Sequence, residues 1–296
     1  MKEYSTVLIL YNPNAMRGRI DEFLPVIKKR LMTRFSKVDF IASPNELGVE
    51  ELAKKNAEYY DIIVACGGDG TVHQTINGVM KSGFKPLVGI LPYGTCNDVA
   101  YTLGIPNDMN KALDCILRLN TTKYDLMYDG TDYIVYALAT GYITDASYSA
   151  GKKIKKKLGR FAYVLAGIKS FFKIPALPMT VEFEDKRIHS KFAYFMLMNG
   201  FRVGGFKINK NELLDNAKVK LVMIQRTNAI ATFFRFIKLF LRGVKAFKDN
   251  KYVIIKDIDN VKIENHSNTP FTLDGEKINF LKKSIKVNSS IELIKK

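Results

Sequence analysis

The sequence predicts a protein of the α/β plus mainly-β class, with a parallel sheet in a first domain and an antiparallel, β-rich second domain. The length of 296 residues corresponds to about two domains. Short apolar runs alternate with amphipathic helical patterns as far as about residue 126, which is typical of βαβ units. Beyond that residue strand-like runs dominate. We therefore place the two domains at residues 1–126 and 127–289.

The first domain is predicted to alternate strands and helices in chain order. Apolar runs predict strands over residues 7–11, 38–41, 61–66 and 87–91. Amphipathic patterns predict helices over residues 21–34, 48–58, from 72 onward and about 111–118. Parallel strands need crossover helices of this kind, so the order of elements favours a parallel sheet.

The second domain is predicted to consist mainly of strands. Strand-like runs cover residues 133–139, 179–184, 191–199, 218–224, 252–256 and 261–264. Two basic helical segments interrupt these runs, at about 152–172 and 229–248. Because most of these strands follow one another without a helix between them, we expect antiparallel pairing.

Composition and charge narrow the classes of function. Hydrophobic residues make up 47% of the chain and charged residues 25%, which excludes general disorder. The formal net charge of +17 favours polyanionic partners, namely nucleic acid, phosphorylated small molecules or the anionic face of a membrane. No helix-turn-helix, zinc or RNP-type motif accompanies this charge, so we expect no nucleic-acid partner.

The cysteine and hydropathy patterns predict a cytoplasmic protein. Cys66, Cys96 and Cys115 are odd in number and have no CxxC spacing, which favours a reducing compartment. The apolar run at residues 7–11 is too short for the core of a signal peptide. The most apolar later stretch, residues 229–247, carries four basic residues, so it does not predict a transmembrane helix.

A glycine-rich turn follows the third predicted strand and is the strongest local feature. It reads Gly67-Gly68-Asp69-Gly70-Thr71 and leads into a predicted helix. Glycines let the backbone approach a phosphate closely, and N–H groups at the start of a helix bind anions. Asp69 can place Mg²⁺ on such a phosphate. The alternative is an ordinary strand-to-helix turn with Asp69 as the N-cap.

A second polar turn follows the next predicted strand. It reads Leu91-Pro92-Tyr93-Gly94-Thr95-Cys96-Asn97-Asp98. Open α/β sheets bind ligands at the carboxyl ends of their parallel strands, so two such turns together indicate a ligand site. The alternative is that Asn97 and Asp98 cap the following helix.

The third motif, Asp274-Gly275-Glu276, lies near the end of the chain. Two carboxylates on either side of a glycine are ordinary sequence for a hairpin turn. A chemical role would need Asp274 to act as a general base, which the motif alone does not establish.

Short motifs stand in a definite order along the chain and are spread over most of its length. They are Asn12-Pro13, Gly67-Gly68-Asp69-Gly70-Thr71, Asn77-Gly78, Leu91-Pro92-x-Gly94-Thr95-x-Asn97-Asp98, the basic stretch Lys157-Leu158-Gly159-Arg160-Phe161-Ala162-Tyr163, Asn199-Gly200 with Gly204-Gly205, and Asp274-Gly275-Glu276. In order and spacing the set resembles the diacylglycerol kinase catalytic-domain family, specifically its soluble bacterial lipid-kinase members. The resemblance extends over essentially the whole chain.

The resemblance implies a fold and a reaction. The fold would be a nucleotide-binding α/β domain and a β-sandwich-like lipid domain, with ATP and Mg²⁺ in the cleft between them. A last strand at about 290–296 would return to the first domain. The reaction would be ATP- and Mg²⁺-dependent transfer of the γ-phosphate to a hydroxyl of diacylglycerol or a related membrane lipid. Transfer of this kind depends on positioning and charge neutralisation.

The resemblance also assigns residues to roles. It implies that ATP is bound by Asn12, Ser43, Gly67, Gly68, Asp69, Gly70, Thr71 and Thr95. It implies that Asp274 is the general base, with Asp69 and Asp125 as further catalytic residues. Substrate contacts at the cleft would come from Asn97, Asp98 and Glu276. The metal positions would be Asp69 and Asn216.

Two positions depart from the family pattern. Family members usually continue the glycine turn as x-Asn-Glu, whereas this chain has Val72-His73-Gln74. The family motif Leu-x-Asn-Asp-Gly aligns with residues 213–217, where Asn216 replaces the aspartate that binds metal. An amide is a weaker Mg²⁺ ligand than a carboxylate, so this change weakens the structural metal site.

The basic helical segments are candidates for contact with a membrane. In the second of them, basic residues recur every three or four positions beside apolar ones. A basic amphipathic helix is typical of a surface that binds anionic lipid headgroups, although a solvated helix face gives the same pattern. With the resemblance, this predicts a cytoplasmic protein that associates peripherally with membranes. An edge strand of the second domain can also pair between subunits in a homodimer.

Two alternative functions stay open from the sequence. An NAD-kinase-like enzyme with a non-lipid acceptor shares the GGDGT turn, but the LPxGTxND turn and the late DGE motif argue against it. A nucleotide-binding pseudokinase is the other alternative, motivated by Gln74 and Asn216.

Overall fold

The chain folds into two units in a computed structural model that describes residues 4–13, 18, 20–43, 47–141, 176–209, 214–247 and 250–296. The first unit ends at Leu126 and also contains residues 214–216 and Ser289–Lys296. The second unit begins at Met127. The basic segment predicted to be helical at 152–172 lies outside the described residues.

The first unit contains a parallel sheet. Its strands are β1 (Thr6–Tyr11), β2 (Lys37–Ala42), β3 (Ile62–Gly67) and β4 (Leu87–Pro92), in the order β2-β1-β3-β4. Each neighbouring pair is parallel. Both β3 and β4 are buried along their whole length, which explains why their sequences are continuous apolar runs.

Helices connect these strands. They are α1 (Leu24–Leu31), α2 (Leu47–Asn56), α3 (Asp69–Ser82), α4 (Asp98–Thr102) and α5 (Met109–Arg118). Helix α1 is shorter than predicted, because Ile20–Glu22 forms a separate 3-10 turn before it. Helices α2 and α3 pack closely at Gly78, where a Cβ atom would lie 2.3 Å from the Glu50 carbonyl oxygen. This contact gives the glycine of the Asn77-Gly78 motif a packing role.

The second unit is built from antiparallel strands. After β5 (Thr121–Tyr128), which begins in the first unit, the strands are β6 (Tyr133–Ile134), β7 (Ala137–Gly141), β8 (Leu177–Phe183), β9 (Lys186–Met198), β10 (Arg202–Val203), β11 (Phe206–Lys207), β12 (Val219–Gln225), β13 (Val253–Ile258), β14 (Asn260–Asn265), β15 (Phe271–Leu273) and β16 (Glu276–Ile278). The order β16-β15-β7-β9-β12-β13 forms one run, and β9-β8-β14 forms another. The long strand β9 takes part in both.

Two apolar clusters form the core of the second unit. One contains Phe183, Phe195 and Phe271 with side chains from β8, β12 and β14. The other lies between the β9 and β12 strands and helix α6 (Ala229–Arg242), which inserts Phe236 and Leu239. A 3-10 turn, Val244–Phe247, follows α6 and replaces the end of the predicted helix.

The final strand, β17 (Lys282–Ile294), runs from the second unit into the first. Its first half pairs antiparallel with β14. Near its end, Leu293 pairs in parallel with Val88 of β4. The strand is longer than the one predicted at 290–296.

The parallel strands of the first unit and the antiparallel strands of the second confirm the predicted fold class. None of the helices in the described ranges has both the length and the apolar character needed to cross a lipid bilayer.

Candidate active site

The first group of candidate residues lies at the carboxyl edge of the parallel sheet. Strand β1 has β2 on one side and β3 on the other, so the chain changes direction across the sheet between β1 and β3. Ligands bind at such switch points in open α/β sheets. Asn12 follows β1, and its N–H donates to the Cys66 carbonyl at the end of β3 over 3.4 Å. Asn12 and the glycine turn therefore lie side by side.

Backbone hydrogen bonds bring two further turns to the same edge. The N–H of Ser43, after β2, donates to the Tyr11 carbonyl over 2.9 Å. The N–H of Tyr93, after β4, donates to the Gly67 carbonyl over 2.8 Å. Ser43 is buried, with 1% of its surface exposed. The residues predicted to bind ATP after β1, β2, β3 and β4 thus occupy one edge of one sheet.

The two glycine turns touch through their backbones. A Cβ atom at Gly94 would lie 2.5 Å from the Gly68 Cα, and one at Gly68 would lie 3.1 Å from the Gly94 Cα. A Cβ at Gly67 would lie 2.3 Å from the Thr71 hydroxyl oxygen. A side chain at Gly68 or Gly94 would separate the two turns, and one at Gly67 would displace Thr71 within the first turn, so glycine is required at these positions.

Helix α3 begins inside the first glycine turn with its N-terminal amides uncapped. The N-cap position is Gly68, which has an extended backbone and no side chain to accept a hydrogen bond. Within the described residues, the N–H groups of Asp69, Gly70 and Thr71 have no acceptor. These groups lie at the positive end of the helix dipole, so the turn fits a phosphate group.

Asp69 joins the two turns through its side chain. Its Oδ1 accepts a hydrogen bond from the Val99 N–H over 3.3 Å, at the start of α4. The alternative in which Asp69 caps its own helix is therefore wrong, because its carboxylate caps α4 instead. Burial, and after it the Asp98 carboxylate, raise the pKa of Asp69 to about 6, while the backbone N–H groups of residues 97–99 oppose the shift.

Asn97 holds the second turn in shape. It adopts a left-handed backbone, with φ of 52°. Its Oδ1 accepts from the Gly94 N–H over 2.8 Å, and its Nδ2 donates to the Gly94 carbonyl over 3.1 Å. It occupies the N-cap position of α4 without a capping hydrogen bond from its side chain. Asp98 is buried, whereas Thr95 is exposed at the tip of the turn.

The segment that aligns with the family's metal motif lies beside Asp125. The Asp125 N–H, in β5, donates to the Leu214 carbonyl over 2.7 Å. Asp125 is buried and Asn216 is exposed. The hydrogen bond to Leu214 places the segment that contains Asn216 next to β5, although the two lie far apart in the sequence, and both belong to the first unit. The described part of the chain contains no cluster of three or more His, Cys, Asp or Glu side chains that would hold a metal ion.

Gln74, at the family's glutamate position, is buried one turn along α3. Its Oε1 atom has no hydrogen-bond partner among the described residues. A buried acceptor without a partner costs about 1–3 kcal/mol, so glutamine at this position carries an energetic penalty.

The candidate base lies in the second unit. Asp274 and Gly275 both have positive φ angles, of 46° and 97°, and join β15 to β16 in a two-residue hairpin. The sequence predicted this turn correctly. Glu276 follows the turn and is exposed.

Three backbone amides hold the Asp274 carboxylate. Its Oδ2 accepts from the Val135 N–H over 2.6 Å. Its Oδ1 accepts from the N–H groups of Tyr136 and Ala137 over 2.9 and 2.8 Å. Sequence reasoning missed this arrangement, because backbone donors leave no signal in residue identity. The carboxylate is buried and fixed in one orientation.

Known proteins resemble this chain in sequence. Residues 6–128 match the family model of the diacylglycerol kinase catalytic domain. A diacylglycerol kinase of Staphylococcus carnosus (strain TM300) is 28% identical over 274 residues, which cover 90% of this chain and 87% of the relative. A diacylglycerol kinase of Staphylococcus haemolyticus (strain JCSC1435) is 28% identical over 273 residues, covering 90% and 81%.

Solved structures share the fold. A crystal structure from Bacillus anthracis str. Sterne superimposes with a TM-score of 0.84 at 21% identity, covering 100% of this chain and 97% of that one. A crystal structure of a diacylglycerol kinase from the same organism gives a TM-score of 0.77 at 19% identity, covering 100% and 98%.

The fold, the glycine turns and these relatives define a kinase. Over residues 6–128 the chain is similar to the diacylglycerol kinase catalytic domain. The resemblance predicted from the sequence motifs is thereby confirmed.

Proposed function

We propose that this protein is an ATP- and Mg²⁺-dependent lipid kinase that phosphorylates a hydroxyl of diacylglycerol or a related membrane lipid. The observation that carries the proposal is the set of uncapped amides of Asp69, Gly70 and Thr71 at the start of α3. Such amides bind phosphate through hydrogen bonds and the helix dipole. The names of the Staphylococcus relatives supply the class of acceptor.

The first unit would bind ATP. The amides of α3 would hold phosphate oxygens, with Asn12, Ser43, Gly67, Gly68 and Thr95 as further contacts along the same edge. Asp69, Asp125 and Asn216 carry the oxygen ligands that Mg²⁺ prefers. When bound, Mg²⁺ neutralises charge on the phosphate oxygens. Asn97 and Asp98 keep the second turn in place against the first.

The second unit would supply the base. Asp274 would accept the proton of the lipid hydroxyl as the hydroxyl oxygen bonds to the γ-phosphorus and ADP leaves. Because three amides fix both carboxylate oxygens, the base is oriented before substrate binds. Glu276 is exposed beside it and is a candidate for contact with the substrate headgroup.

Phosphate transfer tests the proposal directly. The protein is incubated with γ-labelled ATP, Mg²⁺ and a total membrane-lipid extract, and labelled products are identified by mass spectrometry. We expect a labelled lipid that depends on Mg²⁺. Label on a water-soluble acceptor would favour the NAD-kinase-like alternative, and ATP binding without any labelled product would favour the pseudokinase.

Helix α6 is suited to contact with an anionic membrane. Ile230, Phe234 and Leu241 lie on one face of the helix with 63%, 64% and 78% of their surfaces exposed. Exposed Lys238 and Arg242 flank them, and the helix has no acidic residue. An apolar stripe beside cations is the pattern of a helix that lies in a membrane interface. Two copies of this cationic face would repel each other, which favours a lipid partner over self-association.

Removing the exposed apolar side chains of α6 should weaken membrane binding. We expect Phe234→Ser with Leu241→Ser to reduce binding to phosphatidylglycerol-containing vesicles by about tenfold or more, because each buried side chain contributes about 1.5–3 kcal/mol. Vesicle sedimentation measures the change. The matched control is Phe84→Ser with Leu281→Ser, which removes the same residue types at positions 46% and 66% exposed. Equal losses in both variants would show that α6 is not the docking element.

A further inference from the structure

A groove of about 650 Å³ lies within the second unit, apart from the residues of the candidate site. Its volume falls in the range of roughly 300–1,000 Å³ that ligand pockets occupy. Its lining includes the apolar side chains of Phe183, Ile188 and Phe247 and the basic side chains of Lys186, Lys251 and Lys256.

The groove forms where strands end at sheet edges. Strand β13 pairs with β12 alone among the described strands. The first residues of β9 pair with β8. They do not pair with β12, because the pairing between β12 and β9 extends only as far as Phe192. Phe183 of one apolar cluster and Phe247 of the other both line the groove, and seven of the eleven described residues that line it are apolar. The floor of the groove is therefore mainly apolar.

The rim of the groove is cationic. Lys186, Lys251 and Lys256 are exposed, and within the described residues none of them forms an ion pair. No Asp or Glu is among the described residues that line the groove. An apolar floor with a cationic rim matches a molecule that has an aliphatic chain and an anionic head.

We propose that this groove binds one anionic amphiphile, with its aliphatic chain against Phe183, Ile188 and Phe247 and its head at the three lysines. The alternative occupant is an edge strand from a second copy of the chain. Lysines on exposed edges oppose such pairing, and two copies would bring like charges together. The inference goes beyond the proposed function, because it concerns a second binding site and needs neither ATP nor phosphate transfer.

Calorimetric titration of the full chain, without ATP, tests the proposal. The probes are laurate and lauroyl lysophosphatidate, each below its critical micelle concentration, with monolaurin as a neutral probe. We expect at least one anionic probe to bind at one site, with monolaurin at least tenfold weaker. The anionic probe that binds identifies the head group of the ligand as a carboxylate or a phosphate. Binding of neither anion, or equal binding of monolaurin, would overturn the proposal.

Charge reversal locates the site. Lys186→Glu with Lys251→Glu should weaken binding of the anionic probe by tenfold or more. The matched control, Lys262→Glu with Lys286→Glu, changes the same charge at exposed lysines outside the groove and should change affinity less than twofold. Equal losses in both variants would overturn the assignment. If neither anionic probe gives heat on titration and sedimentation shows a dimer, strand pairing between two copies at the groove is favoured instead.

Discussion

Asp274→Asn should reduce phosphate transfer by about 10²- to 10⁴-fold, the usual contribution of a general base. The asparagine amide has no basic oxygen to take the hydroxyl proton. Measuring kcat with saturating ATP, together with ATP affinity, checks the prediction. We expect ATP affinity to stay within a fewfold of the wild type, since the ATP contacts are assigned to the first unit.

The same substitution should also weaken the fold. In this variant an NH₂ group replaces one of the side-chain oxygens of Asp274. That oxygen accepts a hydrogen bond from a backbone N–H in the wild type, so the NH₂ group faces a donor instead of an acceptor. A lost hydrogen bond with an unsatisfied buried donor costs about 1–3 kcal/mol. Kinetics are therefore measured well below the melting temperature of the variant.

A matched variant separates stability from chemistry. Asp129 is a second buried carboxylate of the same unit that accepts two backbone amides, from Thr131 and Asp132, and it pairs with Lys283. Asp129→Asn should lower stability to a similar degree while transfer stays near the wild-type rate. If Asp274→Asn retains most of its activity, or if both variants lose activity equally, Asp274 is not the base.

Asp69→Asn should make the protein more stable at neutral pH while abolishing its activity. Burial raises the pKa of Asp69 to about 6, whereas an unfolded aspartate titrates near 3.9. Between about pH 4 and pH 6 the folded chain keeps a proton that the unfolded chain has lost, so stability falls as the pH rises. The neutral amide removes this cost, which is on the order of 3 kcal/mol.

Urea unfolding at pH 4.5, 6 and 7.5 measures the effect. The gain in the free energy of unfolding of Asp69→Asn over the wild type should grow with pH across this range. Asp61 is a control in which the pKa shift has the opposite direction. Burial raises the pKa of its carboxyl, but hydrogen bonds from Ser5 and Thr6 outweigh burial and lower it. Asp61→Asn should destabilise the protein at pH 7.5. A loss of stability in Asp69→Asn at pH 7.5 would contradict the prediction.

Much of the first unit could be predicted from the sequence because buried parallel strands leave a direct signal. The four apolar runs match β1 to β4 to within about one residue at each end. The glycine turns could be located for the same reason, since each follows an apolar run. The capping of α4 by Asp69 could not be predicted, because it joins two turns that are neighbours only in the folded sheet.

The second unit shows where local pattern fails. The strand predicted at 133–139 is split into β6 and β7, because the N–H groups of Val135 and Tyr136 turn to the Asp274 carboxylate instead of a neighbouring strand. The three histidines look scattered in the sequence, yet the Thr180 hydroxyl contacts the rings of both His189 and His266 over 2.9 Å. Both arrangements depend on partners far along the chain, which residue periodicity does not record.

The path of β17 affects how the protein can fold during synthesis. Leu293 pairs with Val88 across roughly 200 intervening residues, a contact of very long range in sequence. Until β17 has emerged from the ribosome, β4 has only β3 as a neighbour among the described strands and presents an open apolar edge. A nascent first unit is therefore incomplete while the second is being made, and its sheet closes only after the second unit has been synthesised.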